Sequence, residues 1–116
     1  MELFVNPWSI ILLSTGIISA LSGFILKKYP PKSINWFYGY RTRNSMKSQE
    51  RWDFAQVLGG RELIRSGAIL FILGLPGHWL PLPITMAVWI ALILVIAFLC
   101  LPVLRVEAGL KRKFKD

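Results

Sequence analysis

The chain alternates long apolar runs with two polar, basic stretches. Leu3 to Leu26 is 24 residues without a formal charge, roughly 36 Å as a helix at 1.5 Å per residue, against a hydrocarbon core of about 30 Å. This predicts a first membrane span over about 3–26. From Ser66 to Leu104 a run of 39 residues contains only His78 and Cys100 as ionisable side chains. It is too long for one span. Pro76-Gly77-His78-Trp79-Leu80-Pro81-Leu82-Pro83 interrupts it, because proline lacks an N–H and glycine frees the backbone. A turn is expected at 76–83 and a third span over about 84–104. The piece before the turn, Ser66 to Leu75, is roughly 15 Å as a helix and cannot cross alone. The second helix must therefore begin earlier. Asn44 or Ser45 can cap it, and Met46 to Leu75 contains no proline, which predicts one long helix over about 46–75. Its first half is amphipathic: Trp52, Ala55, Leu58 or Gly59, and Leu63 fall near one face, Lys47, Glu50, Arg51 and Asp53 largely elsewhere.

Composition agrees with this pattern, since 54% hydrophobic residues in 116 describe a small integral membrane protein rather than a soluble domain. The fold class expected is all-α: a single domain, 1–116, of three transmembrane helices, with a cytoplasmic motif loop and a long second helix. Charge then orients it. All 14 Lys and Arg fall in two places, nine between Lys27 and Arg65 and five between Arg105 and Lys115. Basic residues are retained on the cytoplasmic side. The N-terminus is thus expected outside, loop 27–47 inside, the turn outside, and the basic tail 105–116 inside. The net charge of +8 is explained by topology and by attraction to anionic lipid headgroups, and no nucleic-acid partner is expected. The first span lacks a basic n-region, carries Glu2 and is followed by Lys27-Lys28, which favours a retained helix over a cleaved signal peptide.

Small residues recur at heptad spacing, Ser9, Gly16 and Gly23 in the first span and Gly60, Gly67 and Gly74 in the second. Such stripes let backbones approach where lipid removes any hydrophobic drive for association. They suit packing of the first helix on the second within one chain, with a homodimer seam as the alternative.

The stretch from Asn35 to Trp52 carries more information than a membrane anchor needs. Pro30-Pro31 ends the first helix, Trp36, Phe37, Tyr38 and Tyr40 form an aromatic cluster suited to headgroup depth, and Gly39 breaks it. Arg41-Thr42-Arg43 then places two guanidinium forks and a hydroxyl before the expected helix start, where backbone N–H groups favour an anion. The residues Asn35, Trp36, Gly39, Tyr40, Arg41, Thr42, Ser45 and Trp52 are the candidate site for an anion or a partner. Arg41 is expected as the principal donor and Trp52 as the packing anchor. An amphipathic loop lying on the membrane is the alternative. For a small oligomeric transporter, an ionisable group deep in a span is required. Glu62 is the candidate, with Asp53 further down, and Glu62 is expected to pair with Arg65 at i,i+3. For an enzyme, no nucleophile and base, metal cluster or paired acids stand out, so no catalysis is expected. One His and one Cys make no metal site, and no cofactor is expected.

The pattern Asn35-Trp36, Gly39-Tyr40-Arg41-Thr42, Ser45-Met46-Lys47 and Trp52-x-Phe54-Ala55, followed by a glycine-bearing apolar span, resembles the SdpI family of bacterial membrane proteins. The motif covers roughly residues 34–75, and the flanking spans match in layout. The resemblance implies a multi-pass protein of the bacterial cytoplasmic (inner) membrane. It also implies a role like that of the family's best-known member, an immunity protein against a secreted peptide toxin that signals by holding a repressor at the membrane. A peptide toxin or a cytoplasmic regulator is then the partner expected. Arg43 stands where the family usually has proline, and this chain corresponds to the C-terminal three-span unit of the larger member.

Overall fold

The computed structural model describes residues 6–115. The expected start of the first span at Leu3, and Glu2 before it, lie outside the described residues. Three helices make up the fold: α1 (Pro7–Lys28), α2 (Gln49–Gly74) and α3 (Ile84–Lys113), with a 3₁₀ turn at Leu75–Trp79 and no strand among the described residues.

Each helix end has a local cause. Asn6 caps α1, its Oδ1 accepting from the Ser9 amide at 3.3 Å, and Pro7 occupies the first turn where no N–H is needed. Lys27 and Lys28 stand in the last turn, opposite in sign to the helix dipole there. The cap of α2 is Ser48, whose Oγ accepts from the Arg51 amide at 3.2 Å. This corrects the expected cap at Asn44 or Ser45. Both of those side chains are engaged elsewhere, as described below, and residues 43–46 form a turn instead. The third helix also runs on past the end expected for its span. Helix α3 runs 30 residues, through Pro102 and on to Lys113, so most of the basic tail expected at 105–116 continues the helix. The reason is a buried face: Val106, Gly109 and Leu110 recur at i, i+3 and i+4 and pack with Ala55, Tyr40, Phe54 and Leu58. Phe114 closes this cluster edge-on against Phe54, with ring centres 5.8 Å apart.

Helix α2 lies between the other two and contacts both. The α1 and α2 glycine stripes meet each other, antiparallel. A Cβ on Gly16 would sit 2.7 Å from the Gly67 carbonyl oxygen, and one on Gly23 would sit 2.5 Å from that of Gly60. Backbone therefore touches backbone at two levels, and Gly74 packs on Leu12 and Leu13 at a third. The faces suited to a homodimer seam are occupied within the chain. Polar side chains of α1 add to the seam by donating to α2 carbonyls: Ser19 Oγ to Leu63 at 2.9 Å, Trp8 Nε1 to Leu73 at 2.8 Å and Ser9 Oγ to Gly74 at 2.7 Å. The last two satisfy carbonyls that the end of α2 leaves without intrahelical partners.

Facing outward, α1 and α3 carry rows of exposed large apolar side chains, among them Ile18, Leu21 and Phe24, and Ile93, Ile96 and Leu104. Both helices are long and apolar enough to cross a membrane. Helix α2 is not, because Glu50, Arg51, Asp53, Arg61, Glu62 and Arg65 fill its first two thirds.

Candidate functional site

The loop between α1 and α2 is folded onto the end of the bundle by side chains from α2. Trp52 is fully buried and its Nε1 donates to the Pro31 carbonyl at 2.8 Å. One turn earlier, Gln49 Nε2 donates to the Lys32 carbonyl at 2.6 Å and to Asp53 Oδ1 at 2.9 Å. Asn35 then makes a local turn, its Oδ1 accepting from the amides of Phe37 at 2.9 Å and Tyr38 at 2.8 Å. The turn throws Trp36 and Phe37 outward, 74% and 91% exposed. Trp36, expected within the site, is therefore set apart from it. Tyr38 folds back, its hydroxyl donating to the Tyr29 carbonyl at 2.6 Å.

Gly39 is the hinge of the loop. Its φ is +105°, and a Cβ there would lie 2.5 Å from Gln56 Oε1 and 2.6 Å from Pro31 Cγ, so only glycine both adopts the angle and fits the space. The close approach allows the buried Gln56 amide to bracket Tyr40: the Tyr40 amide donates to Oε1 at 2.7 Å, and Nε2 donates to the Tyr40 carbonyl at 2.8 Å. Gln56 pairs with this backbone as a neighbouring strand would.

Beyond Tyr40 the loop reaches α3. The Tyr40 hydroxyl at 3.0 Å and the Thr42 hydroxyl at 3.1 Å both donate to Glu107 Oε2, and Asn44 Nδ2 donates to Oε1 at 3.1 Å. Burial, and then the Glu107 charge beside it, push the Tyr40 phenol well above its ordinary range, so it stays protonated and acts as a donor. Ser45, fully buried, stitches the turn: its Oγ accepts from the Thr42 amide at 2.8 Å, while its own amide donates to Thr42 Oγ1 at 3.2 Å.

Arg41 differs from Tyr40 and Thr42 on either side of it. It is exposed and makes no hydrogen bond or ion pair among the described residues, and in this it matches Arg43. Tyr40, Thr42, Ser45, Asn35 and Trp52 each bond part of the fold; Arg41 does not. The two acids considered for ion coupling are far apart in role. Asp53 is exposed and tied to Gln49, whereas Glu62 is buried on α2 with Arg65 Nη1 at 3.6 Å and Arg105 Nε at 3.7 Å. Among the described residues no three His, Cys, Asp or Glu side chains gather as a metal site would require.

Sequence reasoning missed Gln56, Asn44, Arg105 and, above all, Glu107. A signal for Glu107 existed: it is the sole acid between Ile84 and Lys115, amid five basic residues, in phase with the apolar positions Val106 and Leu110.

Comparison with known proteins gives a consistent picture. The profile of the SdpI/YfhL protein family matches residues 32–104, more than half of the chain. A Bacillus subtilis (strain 168) protein described as uncharacterized protein YfhL is 42% identical over 60 residues, which cover 52% of this chain and 54% of that relative. The match thus spans about half of the relative's length. No solved structure matches.

Proposed function

Because the chain belongs to the SdpI/YfhL protein family, we propose that it is a three-span protein of the bacterial cytoplasmic membrane that serves as a non-catalytic interaction module in immunity or signalling. Arg41 in the Gly39-Tyr40-Arg41-Thr42 loop is its contact residue. Two apolar helices support membrane residence. In the three-span reading α2 completes the bundle, its charged first part standing at the inner headgroup level and its apolar remainder packing one face on its neighbours while Phe71 and Ile72 stay exposed. Clustering of Lys27, Lys28, Arg61, Arg65 and Arg105 toward one end supports the orientation with the loop inside.

The observation that carries the proposal is the division of labour in the loop. Tyr38, Tyr40 and the loop's hydroxyl and amide groups are spent on holding its shape, and the Arg41 guanidinium, like that of Arg43, is presented on that shape with all five donors free. A rigid mount with a free fork suits recognition of a carboxylate or phosphate on a partner. The transport reading is less favoured, because both oxygens of Glu62 face arginines.

The test is Arg41→Ala beside Arg41→Lys, scored for protection against a cognate peptide toxin or for release of a membrane-held regulator, with membrane abundance measured in parallel. Loss of function at normal abundance in both variants is expected, since lysine keeps the charge without the fork. Full function in both would sink the proposal.

A further inference from the structure

The acid in the seam between α2 and α3 is outnumbered. Glu62 is 5% exposed and faces Arg65 on its own helix and Arg105 on α3. Arg61, exposed and one turn before Arg65 on the same face, adds a third guanidinium. The exposures divide the group into an inside and an outside: the Glu62 side chain is 7% exposed, those of Arg65 and Arg105 are 52% and 47%. Glu62 thus faces one nitrogen of each arginine and leaves the other donors of these two half-exposed side chains without a partner among the described residues.

The height of this group in the bundle follows from the glycine contacts. Gly60 sits against Gly23 and Lys27, and Gly67 against Gly16 and Ala20. Glu62 and Arg65 therefore stand at the level of residues 20–23 of α1, roughly 6–10 Å to the membrane side of Lys27. On α3, Arg105 directly follows the exposed apolar pair Val103 and Leu104. An excess of positive charge at that depth is costly unless an anion compensates it. Paired guanidinium forks match phosphate oxygens bidentately.

We propose that Arg65 and Arg105, oriented by Glu62, clamp a phosphate group across the seam between α2 and α3. An anionic phospholipid of the inner leaflet supplies that phosphate, since its acyl chains would lie along the apolar outer faces beside the clamp. This site is separate from the Arg41 loop and rests on the three-span reading. Glu62 is its positioning residue: it fixes the spacing of the two forks and prevents their mutual repulsion.

The experiment uses the purified full chain in detergent, offered equal amounts of phosphatidylglycerol and phosphatidylcholine and examined by native mass spectrometry and thermal unfolding. Wild type is expected to retain phosphatidylglycerol at least tenfold in preference and to be stabilised by it. The Arg65→Gln/Arg105→Gln double variant should lose that preference, and Arg105→Lys should keep part of it. Equal retention of the two lipids by wild type overturns the proposal, without reliance on any variant's folding. So does an undiminished preference in the double variant. Millimolar inorganic phosphate forms the last arm: protection equal to that of phosphatidylglycerol supports the clamp with a soluble anion as its ligand, and no protection supports the lipid. Lipid retention is read on isolated protein whatever the loop recognises in cells, so the two proposals can fail separately.

Discussion

Removal of the Glu107 carboxylate should detach the loop from α3 while leaving the α1–α2 pair intact. Three donors end on that one group, Tyr40 and Thr42 on Oε2 and Asn44 on Oε1, at 3.0–3.1 Å. Hydrogen bonds to a charged group contribute about 1.5–3 kcal/mol each when fully desolvated. Glu107 is only half-buried, so water can reach the released donors, and the net cost of Glu107→Ala is about 2–4 kcal/mol. Glu107→Gln is the sharper probe. Its carbonyl can still receive Tyr40 and Thr42, at the strength of a neutral acceptor, and Asn44 must turn its amide over to offer oxygen to the new NH₂. That variant should cost only about 1 kcal/mol. Thermal or denaturant unfolding in a mild detergent measures both, and a double-mutant cycle with Tyr40→Phe isolates the coupling between the two side chains. Glu107→Ala within 0.5 kcal/mol of wild type, or Gln as costly as Ala, would refute the reasoning. The first outcome would deny the carboxylate any hold on the loop; the second would show that packing, and not acceptor count, sets the energy.

Other consequences are as direct. Gly67→Ala places a Cβ 2.5 Å from the Ala20 amide nitrogen and the Gly16 carbonyl oxygen, both backbone atoms that cannot step aside. Despite alanine's better helix propensity, unfolding should show a loss of about 1–3 kcal/mol, whereas Gly109→Ala, which meets only the side chains of Leu58 and Phe54, should be milder. The raised Tyr40 phenol carries a pH signature. Its folded form favours the protonated state, so the stability it contributes is complete below the unfolded value of about 10 and declines as pH rises above it. The alkaline limb of a stability–pH curve should flatten in Tyr40→Phe; an unchanged limb would separate it from that residue.

How much of this was legible in the chain depends on the range of the interaction. The heptads Ser9-Gly16-Gly23 and Gly60-Gly67-Gly74 could be read because small-residue packing leaves a regular local trace. The start of α2 was less legible. Asn44, Ser45 and Ser48 are all good caps, and the choice among them is made by distant partners: Glu107 engages Asn44, and the Thr42 turn engages Ser45. The continuation of the helix into the tail was not legible because Lys111, Arg112 and Lys113 dominate its composition, while the buried trio Val106, Gly109 and Leu110 needs α2 beside it to have meaning. Glu107 itself bonds residues 63–67 positions away, a separation that no local pattern encodes. Within the loop, aromatic character alone could not separate Tyr40, which anchors, from Trp36, which swings out on the Asn35 turn.

The glycine contacts between α1 and α2 also have a mechanical meaning. Backbone meets backbone at levels seven residues apart, roughly 10 Å, so a slide by one turn would bring large side chains such as Ile64 or Phe71 onto positions that admit none. The two helices behave as one stiff strut. The loop leaves this strut at Lys28 and returns to it at Gln49, and it is tied to the strut by Trp52 and Gln56. Polar bonds from the loop to α3 converge on Glu107, with one longer contact to the Val103 carbonyl at 3.4 Å. A displacement of α3 along its axis is thus transmitted to the loop around Glu107, through its polar bonds and the packing of Tyr40 on Val106 and Leu110, and the loop is a gauge of where the third helix stands.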